Sequence, residues 1–214
     1  DSPAPGTGRI SGTSGGQAFE TVLFRDVGTL SIDTGSADTP DNAGDAVTVT
    51  ADLSSIDGLQ SLVIRTGAGD DSVRLETDPG AVVVSVDGGA GEDRLIGPSV
   101  DSEWIVDAPG GGSVGSMVFT GFEDLEGSAD NRDHFAVTES GGVEGLIAGG
   151  DGGFDIVTIS GGAYARTVYV ATGPDSGTIE LDGKLITYAG MEPIANTGDT
   201  VDAVYTATAG ADQI

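Results

Sequence analysis

Three short stretches place a carboxylate after a run of glycines and small residues, with an apolar residue two positions beyond it. They are Thr66-Gly67-Ala68-Gly69-Asp70-Asp71-Ser72-Val73, Gly88-Gly89-Ala90-Gly91-Glu92-Asp93-Arg94-Leu95 and Gly150-Asp151-Gly152-Gly153-Phe154-Asp155-Ile156-Val157. The chemistry open to such a turn is ligation of a hard cation. Calcium takes roughly six to eight oxygens at about 2.3–2.6 Å, and glycines let a turn curl tightly enough to aim carbonyl oxygens inward. The aspartate adds charge, and the apolar residue anchors the loop in a core. On this reading the ligands are the carboxylates of Asp71, Asp93 and Asp155 with carbonyls at Gly67, Gly69, Gly89, Gly91 and Gly153, and the expected ion is Ca2+. Glycine–aspartate turns are also what the corners of β structure look like, because Asp caps its own backbone.

The spacing of these turns points to the elements that carry them. Asp71 and Asp93 lie 22 positions apart, as do Asp133 and Asp155, and the 40 positions between Asp93 and Asp133 are close to two such units. Weaker echoes occur at Asp45, at Asn131-Arg132-Asp133-His134-Phe135 and at Gly210-Ala211-Asp212-Gln213-Ile214. Between them run short clusters rich in β-branched residues, such as Ala46-Val47-Thr48-Val49-Thr50, Leu62-Val63-Ile64-Arg65 and Ile156-Val157-Thr158-Ile159, each closed by a Gly, Asp or Ser turn. Helical periodicity is not convincing anywhere. A period of about 20 residues with two or more short strands per unit predicts stacked coils, each of which buries its apolar residues only against its neighbours. The expected fold is therefore all-β, an irregular parallel β-solenoid of β-helix or β-roll type. From 156 to 214 the period is irregular, and a small β-sandwich-like part is the alternative there. The domain reading is solenoid repeats over 1–160 and a continuing or separate β-rich region over 161–214, with Gly161-Gly162 as the hinge.

Gly88-Gly89-Ala90-Gly91-Glu92-Asp93-Arg94-Leu95-Ile96 fits the nonapeptide G-G-x-G-x-D-x-U-x at every fixed position. Here the sequence resembles the hemolysin-type calcium-binding repeats (the RTX family) of secreted bacterial proteins. It is more similar still to their degenerate versions in large repetitive surface proteins and adhesins. In those, a segment like Gly115-Ser116-Met117-Val118-Phe119-Thr120-Gly121-Phe122-Glu123-Asp124-Leu125 precedes an Asp-x-Phe strand and a glycine-rich turn. The resemblance implies extracellular export to the cell surface, calcium-dependent folding and a structural or adhesive role. Three departures stand out. Gly97-Pro98-Ser99 follows in place of a second nonapeptide, Thr66 replaces the first glycine of one copy, and Asp151 replaces the second glycine of another. Isolated ion sites and a scaffold that has lost its metals are both compatible with them.

Charge and composition narrow the function classes. Eight basic residues against 35 acidic ones give a formal charge of −27, which repels nucleic acid and anionic membrane surfaces. Such a surface serves solubility, and part of it is suited to neutralisation by divalent cations. Thirty-seven glycines and no cysteine leave the core, repetition or metal to hold the chain together. No stretch approaches the roughly 20 apolar residues of a membrane span, so no membrane insertion is expected. The first residues lack the regions of a signal peptide, and Ile214 falls inside what looks like another repeat, so the chain reads as a fragment of a larger protein.

No catalytic group stands out. His134 is the only histidine, no G-x-S-x-G elbow is present, and Gly67-Ala68-Gly69 lacks the Lys-Ser/Thr of a phosphate loop. Asp70-Asp71 and Glu92-Asp93 are adjacent acids, whose side chains on extended backbone diverge to opposite faces. An enzyme is not expected. Trp104, Phe119, Phe122, Tyr164, Tyr169, Tyr188 and Tyr205 read as core fillers before they read as a sugar-stacking platform. The expected function is a structural, calcium-binding repeat segment of a secreted or surface-exposed protein, acting as spacer or adhesive module. Its expected partners are calcium ions and a cell-surface or matrix glycan or protein. The alternative is a carbohydrate- or partner-binding β module, which aromatic side chains converging on one face would favour. Third is a polysaccharide-acting enzyme, which acids and a base converging in a groove would favour.

Overall fold

The computed structural model of this chain describes residues 4–14, 17–18, 20–37 and 44–208. Near the start, β1 (Gly8–Ile10) pairs antiparallel with β4 (Val22–Phe24), and β2 (Thr13–Ser14) with β3 (Gln17–Ala18). The other eighteen strands form two nine-stranded sheets. The first runs in the order β5 (Thr29–Asp33), β7 (Ser61–Ala68), β9 (Val83–Ala90), β13 (Met117–Thr120), β12 (Gly111–Val114), β11 (Ser102–Ala108), β15 (Asp133–Thr138), β17 (Ile156–Ser160), β21 (Ile194–Asn196). The second runs β6 (Ala46–Val49), β8 (Ser72–Leu75), β10 (Arg94–Ile96), β14 (Asp124–Glu126), β16 (Leu146–Ala148), β20 (Lys184–Ala189), β19 (Gly177–Leu181), β18 (Ala163–Ala171), β22 (Asp199–Thr206).

From β5 to β10 the chain alternates between the sheets, and each strand lies parallel to the one two before it. Two hairpins interrupt this order. The hairpin β11–β12 is inserted in the first sheet between β15 and β13, with β11 parallel to β15 and β12 antiparallel to both its neighbours. The hairpin β18–β19 is inserted in the same way in the second sheet, between β22 and β20. The all-β expectation holds, as two large mixed sheets. Strands on both sides of Gly161 share them, since β17 pairs with β21 and β16 with β20. Among the described residues no helix is long and apolar enough to cross a membrane. The echo at Gly210-Ala211-Asp212-Gln213-Ile214 lies outside the described residues.

Alternation of side chains along each strand sends every second residue into the space between the sheets. One inward row of the first sheet passes through Leu30, Leu62, Val84, Met117, Val114, Trp104, Phe135, Val157 and Ile194. Its counterpart in the second is Val47, Val73, Leu95, Leu125, Ile147 and Tyr188. Most of these side chains are fully buried, each contributing roughly 1.5–3 kcal/mol of apolar transfer. The bulkiest sit by the first hairpin, where Trp104 stacks on Phe135 at 4.9 Å and meets Phe119 edge-on at 5.9 Å.

Candidate functional site

The aspartates singled out by spacing fall at the corners where the chain passes from one sheet to the other. Asp71 and Asp93 precede β8 and β10, entering the second sheet, whereas Asp155 precedes β17, entering the first. The 22-residue spacing is a real structural equivalence. The Asp71 N–H donates to Asp93 Oδ1 at 2.8 Å, and the Asp133 N–H donates to Asp155 Oδ1 at 2.8 Å. The first corner continues in both directions, with the Asp45 N–H donating to Asp71 Oδ1 at 2.6 Å and the Asp93 N–H to Glu123 Oε2 at 2.8 Å. Each carboxylate therefore takes a main-chain N–H from the preceding row. A corner residue has left the ladder of one sheet before joining the other, so its N–H needs such a partner. The apolar residue two places on points into the core, as expected: Val73, Leu95, Phe135 and Val157 are all fully buried.

Asp71, Asp93, Asp133 and Asp155 are themselves buried. Their neighbours Asp70 and Glu92 are exposed, so adjacent acids diverge. Asp133 is the best-satisfied member. Its Oδ1 accepts from Trp104 Nε1 at 3.1 Å, and its Oδ2 from the Ser128 N–H at 3.1 Å and Asn131 Nδ2 at 3.0 Å. Asp71 and Asp93 differ: Oδ2 of each is buried with no hydrogen-bond partner. Burial pushes the Asp93 carboxyl from its ordinary 3.8 up to about 6, against the opposing pull of the Asp71 N–H and with added repulsion from Asp71, Glu123 and Asp70. Burial likewise takes Asp133 to about 6, despite its hydrogen bonds to Trp104 and Asn131, and raises Asp155.

The glycines of the pattern also find places. Gly67, Gly69, Gly89, Gly91 and Gly153 all have positive φ, between 84° and 148°. Gly67 pairs with Gly89 near the ends of β7 and β9, and a methyl group on Gly89 or Gly91 would overlap the carbonyl of Gly67 or Gly69 in the row before. Their carbonyls are thus packed between rows. Gly153 makes the same approach to the Asn131 carbonyl at the opposite corner. One glycine outside the expected ligand set matters more. A methyl group on Gly88 would overlap the Gly121 carbonyl and stand 2.9 Å from Asp93 Oδ2, so only glycine lets this carboxylate fold back over the corner. Glu123 was also missing from the expected set, although Glu123-Asp124-Leu125 carries the acid-x-apolar signal in the sequence.

A hard cation can be tested against this donor set. Asp71 Oδ2 and Asp93 Oδ2 are oxygen donors, anionic when ionised and otherwise unpartnered. Among the described residues no three acidic or histidine side chains converge on one point. The remaining titratable groups are arranged differently. His134 bridges Glu103 and Thr158 at 2.9 and 2.8 Å on the outer face of the first sheet. Lys184 Nζ donates to the carbonyls of Glu139 and Gly141 at 2.8 and 2.7 Å. Comparison with known proteins adds no assignment: no family model, curated protein or solved structure matches the chain.

Proposed function

We propose that this chain is a structural segment of an exported, surface-exposed protein, an irregular β-solenoid that calcium stiffens and that serves as a spacer or adhesive module. The observation that carries the calcium reading is the pair of buried, unpartnered oxygens, Asp71 Oδ2 and Asp93 Oδ2. Main-chain N–H groups hold the other oxygen of each. A buried carboxylate oxygen without a partner destabilises the fold by about 1–3 kcal/mol or more, which a proton or a cation relieves. Asp71 and Asp93 would hold the ion. When bound, it would neutralise the repulsion between two stacked corners. The solenoid reading rests on the alternating strand order and the 22-residue equivalence at both corners. The spacer role follows from a fold whose rows repeat along one direction and whose surface is strongly acidic.

The test is a thermal melt followed by circular dichroism, in millimolar calcium, in magnesium and in excess EDTA. A ligand at 100 times its dissociation constant adds about 2.7 kcal/mol per site, or roughly 5–11 °C for a chain of this size. A rise specific to calcium and lost in the D93N variant supports the reading. The same midpoint in all three buffers removes the metal and leaves a glycine-cornered scaffold.

A further inference from the structure

Three tyrosines that are far apart in sequence meet in one cleft. Tyr205 on β22 is in register with Tyr169 on β18, which faces Ile179 on β19, so all three lie on the same side of the second sheet. Tyr188 on β20 is opposite Gly177, and its hydroxyl lies 2.6 Å from where a methyl group on Gly177 would stand. The missing side chain leaves room for the hydroxyl end of Tyr188 over the strand. The segment Met191–Asn196 closes the other side and brings Glu192 into the cleft, whose volume is about 420 Å³. Asn196 is pinned at both ends. Its Nδ2 donates to Tyr169 Oη at 2.8 Å, and its Oδ1 accepts the Gly198 N–H at 2.8 Å. Tyr169 is thereby fixed with its own O–H proton free to donate.

These rings do not pack on one another. Among the described residues the aromatic pairs all belong to the Trp104, Phe119, Phe122 and Phe135 cluster. Tyr205 is 58% exposed and Tyr169 half-buried, while Tyr188 belongs to the buried row and reaches the cleft only at its edge. A tyrosine offers an apolar face and a polar tip, which matches a ligand with alternating C–H faces and hydroxyl edges. The volume lies within the roughly 300–1,000 Å³ of small-molecule sites and is concave, unlike the broad flat area a protein partner requires. Glu192 and the net charge of −27 disfavour an anionic ligand, while a carboxylate is a good acceptor for sugar hydroxyls. Burial, with Tyr205 nearby, raises the Tyr188 phenol pKa.

We infer that this cleft binds a pyranose ring of a neutral polysaccharide, with the exposed Tyr205 ring as the stacking surface and Glu192 and the Tyr169 hydroxyl on the sugar's hydroxyls. This deepens the adhesive part of the proposed function by naming a ligand class, and is independent of calcium.

The experiment is affinity electrophoresis of the whole chain through gels containing dextran, mannan, xylan or a mixed-linkage β-glucan, with alginate and immobilised phosphocholine as comparisons. At least one neutral polymer should retard the protein, equally in calcium and EDTA. The Y205A variant should weaken that retardation about tenfold, the loss of the stacking face, with an unchanged melting midpoint because Tyr205 is exposed. The E192Q variant should weaken it as well, since a carboxamide accepts a hydroxyl less strongly. Retardation by none of the neutral polymers, retardation indifferent to Y205A, or binding to phosphocholine alone would each overturn the inference. The calcium melt is a separate readout, so either reading can fail without the other.

Discussion

Asp93→Asn should make the calcium-free protein more stable at neutral pH, although it alters a buried residue of the strongest repeat motif. Burial raises the Asp93 carboxyl from 3.8 to about 6. Two units at 1.36 kcal/mol each mean that the ionised group costs the folded state up to about 3 kcal/mol above pH 6. The folded carboxyl binds its proton more tightly than the unfolded one. Its contribution to stability is therefore complete below about pH 4 and is lost as pH rises through 6. Asparagine keeps an oxygen for the Asp71 N–H and replaces the unpartnered oxygen with an amide. The buried amide N–H groups offset part of this, so the gain in EDTA at pH 7.5 should be positive but no more than about 3 kcal/mol, or roughly 6–12 °C in midpoint, and should disappear near pH 4. The assay is a thermal melt by circular dichroism at both pH values, with and without calcium. In calcium the order should narrow or reverse, because only the wild type retains the anionic donor. A variant melting at or below the wild type in EDTA at pH 7.5 would refute the reasoning, since the ionised oxygen would then have a protein partner.

Three further perturbations probe the frame. Asp133→Ala leaves Trp104 Nε1, the Ser128 N–H and Asn131 Nδ2 short of an acceptor; it should cost about 2–4 kcal/mol in urea unfolding followed by emission of the single tryptophan, and a loss below 1 kcal/mol would contradict the geometry. Gly88→Ala overlaps the Gly121 carbonyl and should destabilise by about 1–3 kcal/mol, whereas Gly28→Ala, with nothing within 4 Å and no positive φ, should be neutral or stabilise by up to about 1 kcal/mol; parallel chemical denaturation of the two checks the contrast. Lys184→Met removes charged hydrogen bonds to the carbonyls of Glu139 and Gly141 and should lower stability by about 2 kcal/mol, with hydrogen exchange rising first over residues 138–142.

Much of the frame was legible because it repeats. The acid-x-apolar pattern located Val73, Leu95, Phe135 and Val157, which are all core residues, and the 22-residue spacing located their equivalence. The period broke in two places, and each break is a hairpin. Between Asp93 and Asp133 lie β11 and β12, and after β17 come β18 and β19. Hairpin strands carry the same β-branched clusters as the coils, so composition alone does not separate an inserted pair from another turn of the repeat. The pattern also aligned Asp155 with Asp71 and Asp93, yet it enters the other sheet. Both corners solve the same problem, an N–H leaving one ladder, with the same residue type, and so look alike in sequence. The tyrosine cleft was illegible because its members lie 17 and 19 positions apart along the chain and meet only through register across strands.

The two hairpins also account for one another. β14 and β16 are neighbours in the second sheet, about 5 Å apart, whereas β13 and β15 in the first are separated by β12 and β11, about 14 Å in all. After the first hairpin the sheets are out of step by two strands, about 10 Å. Sheets that stayed out of step would leave inward apolar rows facing nothing. Three of the largest core side chains, Trp104, Phe119 and Phe135, sit on the strands where the offset arises, and Phe122 lies in the turn that follows β13. The offset is undone at β18 and β19, which add two strands to the second sheet and bring both to nine. That correction places Tyr169 and Tyr205 beyond Ile179 on the inner face of the second sheet, opposite the short β21, whose three residues cannot cover them. The cleft follows from restoring the step between the sheets, so Tyr205 is available to a ligand while Tyr188 and Tyr164 are spent on the core.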